Sequence, residues 1–228
     1  MALTKAVGNM YDWVTHMHTH LGGECGHRCR YCYIGTGRFG RPARYTGEPR
    51  ILEDEFKVKY GSGKVIFIEH KNDLFAENIP ESWIIRVMDH CKAYPGNQYV
   101  FQSKNPARAV EFINDFPSGS MMGTTIETDL VIPGVSEAPH PETRAAGIKE
   151  FKARGFKTFI TIEPIMDFTD NLAKMIVDAK PDFVNIGADS KRTGLQEPTK
   201  EQIMRLVEVL NSKGIVIRKK VNLERILK

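Results

Sequence analysis

The chain has 228 residues, of which 41% are hydrophobic and 26% charged, with a formal net charge of +4 and 4 cysteines. It has no apolar run near the about 20 residues of a membrane span and no apolar segment typical of a secretion signal. This composition excludes a disulfide-stapled secreted domain and predicts a cytoplasmic protein with one barrel-sized domain over residues 1–228.

Strands and helices are predicted to alternate along the chain. Apolar runs rich in β-branched and aromatic residues predict strands at residues 14–20, 64–69, 98–102, 121–126, 157–162, 182–186 and 214–217. Apolar residues at helical spacing, after Pro or a capping residue, predict helices that begin at Pro80, Asn105, Pro141, Asp170 and Thr199. Regular alternation implies a parallel sheet with helical crossovers. We therefore predict an α/β fold, a partial parallel (β/α) barrel of about six units.

Three cysteines lie between the first and second predicted strands. Cys25, Cys29 and Cys32 have the spacing Cys-x-x-x-Cys-x-x-Cys, with Tyr31 just before the last cysteine. Three thiolates can hold three irons of a 4Fe–4S cluster and leave the fourth iron without a protein ligand. Because catalytic metal sites keep an open position, the spacing indicates a catalytic cluster.

The same three cysteines could instead hold zinc. His20 or His27 would then supply the fourth ligand. Zinc knuckles usually combine two short Cys pairs, or a Cys pair with a His pair, in a small module. Here one triplet stands alone in a chain of enzyme size, so the pattern favours the cluster.

Polar residues follow the predicted strands at the end where barrel enzymes place their chemistry. The cysteine loop follows the first strand, and the polar segments are residues 69–73, 103–104, 127–129, 163 and 185–190. Any one of these residues is explained by loop capping. Their common position beside the cysteines predicts one site.

The cysteine spacing and Tyr31 resemble the signature of the radical S-adenosylmethionine (SAM) superfamily. Residues 72–75, 101–105, 124–127 and 137–144 extend the resemblance to the spore photoproduct lyase branch and to an uncharacterised phage-protein radical SAM family. The resemblance implies a 4Fe–4S cluster whose free iron binds the amino and carboxylate groups of SAM. It also implies a one-electron reductant of the flavodoxin or ferredoxin type, whose electron breaks the C–S bond to give a 5′-deoxyadenosyl radical.

The resemblance also implies which side chains help to hold SAM. By match to the family's segments these are Tyr31, Asn72, Asp73, Lys104, Thr125 and Glu127, with Tyr31 near the adenine. Thr124 matches nearly as well as Thr125. Arg144 is a weaker match, because an arginine in the first turn of a helix is usually solvated. Many family members carry Gly-Gly-Glu after the second strand, whereas residues 69–73 here are Glu-His-Lys-Asn-Asp.

The loop after the cysteines combines arginine with aromatic residues. Its members are Arg30, Arg38, Arg41 and Arg44, interleaved with Tyr33, Phe39 and Tyr45. Such a composition grips phosphates and stacks bases, so a nucleotide or nucleic-acid base is the predicted substrate. The loop could equally be a solvated one, or its arginines could pair with the barrel's own acids. A peptide or small-metabolite substrate, and a zinc-dependent nucleic-acid-binding protein without catalysis, are the alternative functions.

Two further features have open roles. His16, His18 and His20 alternate on the first predicted strand and share one face, which would contact SAM or substrate if it pointed into the barrel. Packed histidines are the alternative. Cys91 falls on the apolar face of a predicted helix, so we expect it in the core. The lyase's hydrogen-returning cysteine therefore has no evident counterpart, and we do not predict photoproduct repair.

Overall fold

The computed structural model of the protein describes residues 3–36 and 40–228. The strands are β1 Thr4–Lys5, β2 His16–His18, β3 Leu21–Gly22, β4 Arg50–Ile51, β5 Val65–Ile68, β6 Gln98–Gln102, β7 Met121–Thr125, β8 Lys157–Ile162, β9 Phe183–Ile186 and β10 Val216–Lys219. The helices are α1 Glu81–Lys92, α2 Pro106–Val110, α3 Pro141–Ala153, α4 Asp170–Ala179, α5 Lys200–Ser212 and α6 Glu224–Leu227. Short 3₁₀ helices lie at Ala43–Tyr45, Glu53–Lys57, Ile113–Asp115 and Val221–Leu223. In the described part of the chain, no helix is long and apolar enough to cross a bilayer.

One open, mostly parallel sheet organises the fold. Its strand order is β1-β2-β5-β6-β7-β8-β9-β10, and β3 pairs with β4 in a separate antiparallel ribbon. Only the β1–β2 pair of the large sheet is antiparallel. Helices α1 to α5 connect the successive strands from β5 to β10, as parallel neighbours require. Within the described residues β1 and β10, at the two ends of the sheet, do not pair with each other, so the barrel is open and the prediction of a partial parallel barrel is confirmed.

Most predicted boundaries agree with the structure, and two elements are shorter for local reasons. The helix predicted from Asn105 ends at Val110 and is followed by the 3₁₀ helix Ile113–Asp115, after which Phe116, the residue before Pro117, is extended (ψ 137°). The first strand ends at His18, because the backbone N–H groups of the next residues donate to the Glu69 carboxylate instead of to a neighbouring strand.

The two faces of the sheet bury different cores. The helix-facing side packs the larger apolar cluster, which includes Ile66, Ile68, Tyr99 and Phe101. The other side, inside the barrel, holds a smaller, mainly aromatic cluster formed by Tyr11, Val14, Met17, Phe67, Val100, Phe159 and Phe183. Side chains two residues further along the strands share the same inner face, so the interior becomes polar toward the carboxyl ends, at Gln102, Thr125, Thr161 and Asn185.

The histidines of β2 face the helices and not the barrel interior. Met17 belongs to the interior cluster, so His16 and His18 on either side of it point the other way. His18 and His20 are buried, 4% and 0% exposed, and their rings contact His90 of α1. These histidines therefore do not line the interior where a barrel substrate would lie.

Candidate active site at the carboxyl ends of the strands

The three cysteines share one loop, residues 23–36, between β3 and β4. Cys25, Cys29 and Cys32 are all partly exposed free thiols. The Ser136 hydroxyl lies 3.1 Å from the sulfur of Cys29. Burial, and next the nearby Asp73 carboxylate, raise the pKa of the Cys25 thiol to about 12. A thiolate at this position therefore needs a bound cation to stabilise it, as a metal centre would.

The cysteine loop is fixed by its own backbone contacts. Gly23 has a φ of 83°, and a Cβ there would lie 2.2 Å from the carbonyl oxygen of Glu48, so only glycine fits. The amide of Arg30 donates to the carbonyl of Val135 at 2.9 Å, and the amide of Glu137 donates to the carbonyl of His27 at 2.8 Å. The loop thus has a defined shape set by the protein itself.

Asp73 joins the cysteine loop to two strand ends. Its Oδ2 accepts hydrogen bonds from Nε2 of His27 at 2.8 Å and from the amide of Lys104 at 2.7 Å. Its Oδ1 accepts from the Ser103 hydroxyl at 2.7 Å and the Phe75 amide at 3.0 Å. Burial alone would raise the pKa of Asp73, but His27 and these hydrogen bonds hold it below its usual value. The carboxylate is therefore an ionised clamp beneath the loop.

Asn72 supports the same loop. Its amide Nδ2 donates to the carbonyl of Gly23 at 3.3 Å, and its Oδ1 accepts from the amide of Asp73 at 2.9 Å. The residue is buried. Its side chain thus connects the segment after β5 to the start of the cysteine loop.

Three donors from different elements converge on the carboxylate of Glu127. They are the Tyr31 hydroxyl, the Lys104 ammonium and the Arg144 guanidinium, whose Nη1 lies 2.8 Å from Oε2. The Lys104 Nζ also lies 2.8 Å from the Tyr31 hydroxyl. Burial would raise the pKa of Glu127, but Arg144 and Lys104 outweigh it and hold the pKa well below its usual range. Tyr31, Lys104 and Glu127, predicted separately from sequence, are thus brought together.

Arg144 is buried, so the expectation of a solvated side chain is wrong. It is 5% exposed, and its Nη1 donates to the carbonyl of Thr125 at 2.6 Å as well as to Glu127. The reason is that α3 begins at Pro141, directly above the end of β7, so its first turn faces the site. The Nε of Arg144 has no hydrogen-bond partner among the described residues, and a buried unpaired donor of this kind is costly unless a ligand satisfies it.

Thr125, and not Thr124, faces the barrel interior. The hydroxyl of Thr125 accepts from Nε2 of Gln102 at 2.7 Å, and Gln102 in turn accepts from the Tyr11 hydroxyl. The Thr124 hydroxyl points away from this network and donates to the carbonyl of Ser103. The alternation of side chains along β7 therefore favours Thr125 over Thr124 as the match to the family's residue that helps to hold SAM.

A crevice opens beside Tyr31, Glu127 and Arg144. Its remaining wall is mainly apolar and includes Leu130, Val131, Ile132, Val135, Pro139 and Met166. Val131 is 60% exposed although it is apolar. The crevice thus offers an apolar surface next to a charged network, which suits a flat, partly polar ligand.

The arginines of the cysteine loop are mostly engaged by the protein itself. Arg44 pairs with the buried Glu55, and the Nε of Arg41 lies 3.9 Å from Glu24. Arg38 and Phe39 lie outside the described residues. Arg44 and Arg41 therefore agree with the alternative interpretation, in which the arginines pair with acidic residues of the protein itself.

Sequence reasoning missed one supporting hydroxyl, that of Ser136. Ser136 lies beside Cys29 but more than 100 positions away in sequence, so no local pattern could indicate it. Ser103 directly follows β6, belongs to the predicted polar segment 103–104, and donates to Asp73. His27 bonds to Asp73 and His20 to Glu69, although both were candidate zinc ligands.

The fold is similar to that of radical SAM enzymes. Spore photoproduct lyase complexed with dinucleoside spore photoproduct superposes with a TM-score of 0.63 at 11% identity, over 95% of this chain and 79% of the lyase chain. A double mutant of the lyase with bound AdoMet (SAM) and the dinucleoside gives a TM-score of 0.59 at 13% identity, over 90% and 62% of the two chains. Streptococcus suis SuiB bound to S-adenosylmethionine gives 0.56 at 12% identity, over 89% and 49%.

These likenesses confirm the predicted radical SAM type of fold, and several of them belong to the spore photoproduct lyase branch. Identities of 10–13% show a shared architecture and do not by themselves transfer an activity. No protein-family model and no curated protein matches the sequence.

Proposed function

We propose that this protein is a radical SAM enzyme that holds a 4Fe–4S cluster on Cys25, Cys29 and Cys32. The observation that carries the proposal is the position of the cysteine loop. It lies at the carboxyl ends of a partial parallel barrel of the radical SAM type, next to the network around Glu127. Barrel enzymes place their chemistry at this end.

The spacing of the sulfurs supports a cluster over a single zinc ion. Zn–S bonds of about 2.3 Å place tetrahedral thiolates about 3.8 Å apart. In the described part of the chain, no three ligand atoms that include cysteine sulfurs lie within 4.8 Å of one another. The histidines considered as a fourth zinc ligand are also engaged elsewhere, His27 with Asp73 and His20 with Glu69. Three thiols that lie further apart than the ligands of one zinc ion suit a larger group, such as a 4Fe–4S cluster.

When bound, the cluster would supply the electron that splits SAM into methionine and a 5′-deoxyadenosyl radical, with a flavodoxin- or ferredoxin-type protein as the source of that electron. The chain's own residues bind and orient SAM. Lys104 is the charged group of the network that reaches the surface, with 15% of its side chain exposed, so its ammonium is placed to bind the SAM carboxylate. Glu127 holds Lys104 and Tyr31 in position for this contact.

The crevice beside Tyr31 would take the adenine of SAM. The Tyr31 ring and the apolar wall at Leu130 and Val131 offer contact surface for a flat base. Arg144 also lines this crevice and adds a positive charge to its wall. The Thr125 hydroxyl, on the inner face of β7, would contact SAM from the barrel interior. Asn72 and Asp73 would act mainly by holding the cysteine loop.

We propose a nucleotide or nucleic-acid base as the substrate. The support is the likeness to a lyase structure that contains a dinucleoside, together with Tyr33 of the cysteine loop. The Tyr33 hydroxyl donates to the carbonyl of His70, but the residue is 49% exposed, so part of its ring is open to stack on a base. Cys91 is fully buried in the helix-facing core, so it cannot return a hydrogen atom to a substrate. The proposal therefore does not include photoproduct repair. A peptide or small metabolite is the alternative substrate class.

The test is anaerobic reconstitution with iron and sulfide, followed by incubation with SAM and a chemical reductant. We expect iron and sulfide bound to the chain, absorbance near about 400 nm from thiolate–iron charge transfer, and 5′-deoxyadenosine as a product. A protein that binds zinc tightly but no iron–sulfur cluster would overturn the proposal. Addition of nucleotides, DNA or RNA, against peptides as the comparison, would then identify which class increases the rate.

A further inference from the structure

A second cluster of ligand-type side chains lies on the helix-facing side of β2, away from the cysteine loop. His18 ends β2, His20 precedes β3, and His90 belongs to α1. One ring nitrogen from each of the three lies within 4.8 Å of the others. In the described residues they are the only three His, Cys, Asp or Glu side chains that approach so closely. The proposed SAM enzyme activity makes no use of them.

In two of the three imidazoles, Nε2 donates a hydrogen bond to a backbone carbonyl, which fixes the orientation of the ring. His90 donates from Nε2 to the carbonyl of Val58 at 3.1 Å, and His18 donates from Nε2 to the carbonyl of Glu55 at 3.2 Å. A carbonyl can only accept, so these nitrogens carry the protons. The Nδ1 atoms of both neutral rings are therefore left with a lone pair.

His20 is fixed by a carboxylate. Its Nδ1 lies 2.7 Å from Oε1 of Glu69, and its Nε2 lies 2.8 Å from Nδ1 of His90 and 3.0 Å from the Tyr60 hydroxyl. Nε2 of His20 and Nδ1 of His90 therefore face each other at the centre of the trio, with the Tyr60 hydroxyl beside them. Carboxylate and carbonyl partners behind imidazoles are the usual outer-sphere support of metal-bound histidines.

The acid behind His20 has no cationic partner among the nearby arginines. Arg44 pairs with Glu55 and Arg86 pairs with Glu53, so both nearby guanidiniums are already neutralised. Glu69 is 3% exposed, and within the described residues no lysine or arginine forms an ion pair with it. Burial raises the pKa of Glu69 to about 8, and a divalent ion on His20 would favour the ionised form of this carboxyl.

We propose that His18, His20 and His90 form a Zn²⁺ site distinct from the cluster site, with the Tyr60 hydroxyl or a water as fourth ligand. Binding would replace the direct contact between Nε2 of His20 and Nδ1 of His90. Zn–N bonds of about 2.0–2.1 Å place tetrahedral nitrogens about 3.4 Å apart, so the pair now at 2.8 Å would open by roughly 0.6 Å. The ion would join β2, β3 and α1 directly behind the chain that enters the cysteine loop.

The test uses the cluster-loaded protein, so that iron occupies the cysteines. After incubation with Zn²⁺ and removal of free metal, iron and zinc are measured by elemental analysis on each variant. We expect one zinc per chain in addition to the cluster iron. His90→Gln and His20→Gln should lose that zinc and retain the iron, and Glu69→Gln should weaken zinc binding by roughly 10–100-fold.

His16→Gln is the matched control, since His16 lies on the same strand face and is partly buried like His90 but has no place in the trio. It should keep both metals. His90 is only partly buried, and retained iron together with a cooperative melt shows that its variant folds. Zinc should raise the melting temperature of the wild type and not that of His90→Gln. A wild type without zinc beyond background, or equal zinc in His90→Gln, would overturn the site and leave the cluster proposal untouched.

Discussion

The Nε2 atom of His27 lies 2.8 Å from Oδ2 of Asp73, so a residue inside the cysteine loop is hydrogen-bonded to the segment that follows β5. Each carboxylate oxygen of Asp73 already accepts two hydrogen bonds from the protein. The resemblance implied that this acid holds SAM. The geometry shows that this acid also supports the cysteine loop, which gives its removal a second expected effect.

Asp73→Ala should lower the iron content after reconstitution and the free energy of unfolding. Each lost hydrogen bond to the carboxylate is worth about 1.5–3 kcal/mol. Iron analysis and denaturant unfolding provide the measurement, with the exposed Asp89→Ala on α1 as the control. Full cluster loading and wild-type stability, combined with weak SAM binding, would show that Asp73 contacts SAM instead of supporting the loop.

Replacement of Cys25, Cys29 or Cys32 by alanine should abolish the iron–sulfur spectrum and all SAM cleavage, because each removes a thiolate ligand. Cys91→Ala is the matched control. Its side chain is fully buried, so we expect a loss of stability of about 1 kcal/mol from the small cavity but an intact cluster. An inability of Cys91→Ala to bind iron would refute the ligand assignment.

Lys104→Met should weaken SAM binding while the cluster still forms. The methionine keeps the aliphatic bulk, and Arg144 remains to neutralise Glu127. The loss of one charged hydrogen bond should cost about 1.5–3 kcal/mol of binding free energy. Anaerobic calorimetry with SAM measures it, and the exposed Lys149→Met on α3 should bind SAM as the wild type does. Equal SAM affinity in both variants would count against the assigned role.

Glu127→Gln should destabilise the protein by about 3–5 kcal/mol at neutral pH, because it leaves the buried charges of Arg144 and Lys104 without a partner. The pKa of Glu127 is held far below its ordinary 4.5 in the fold. Its stabilisation is therefore complete above about pH 4.5 and is lost as the pH falls below that value.

The pH dependence of unfolding separates this role from a general packing defect. The wild type should lose stability below pH 4.5 more steeply than Glu127→Gln, so the two curves should approach each other in acid. Glu142→Gln, at an exposed position on α3, should follow the wild-type curve. Parallel curves for the wild type and Glu127→Gln would show that the carboxylate is not ionised in the fold.

The substrate proposal is tested at the loop arginines. Because Arg44 pairs with the buried Glu55, its replacement would also disturb the fold, so Arg38→Gln and Arg41→Gln together are the better variant. Nucleic-acid binding should weaken, and the salt dependence of binding should fall by roughly one unit per lost phosphate contact. Reductive SAM cleavage without substrate should continue. A wild type without salt-sensitive binding to DNA, RNA or nucleotides would make a peptide or small metabolite the better candidate.

Elements with a strong periodic or capping signal could be predicted closely from the sequence. β6 and β8 have the predicted bounds, and the predicted Thr199–Gln202 capping box is present at the start of α5. Parallel topology followed from the alternation of elements, and with it the common end at which Tyr31, Lys104 and Glu127 meet. These features depend on local sequence and on one general rule of chain connection.

The remainder depends on contacts that have no local signal. The burial of Arg144 follows from the path of the loop that precedes α3, and the outward face of His18 follows from the strand that pairs with β2. A period of two shows that His16 and His18 share a face but not which face is inside. His90, about 70 positions after His20, could join the trio only through the packing of α1 on the sheet.

The hydrogen-bonded shape of the cysteine loop bears on oxygen damage. The amides of Gly23, Arg30 and Glu137 and the Asp73 carboxylate hold the loop through bonds that involve no metal. Air that destroys the cluster should therefore leave the thiols in place, and repair should require iron, sulfide and a thiol reductant but no refolding. We expect slow hydrogen exchange at the amide of Arg30 before reloading as well as after it, because that donor is already bonded to Val135.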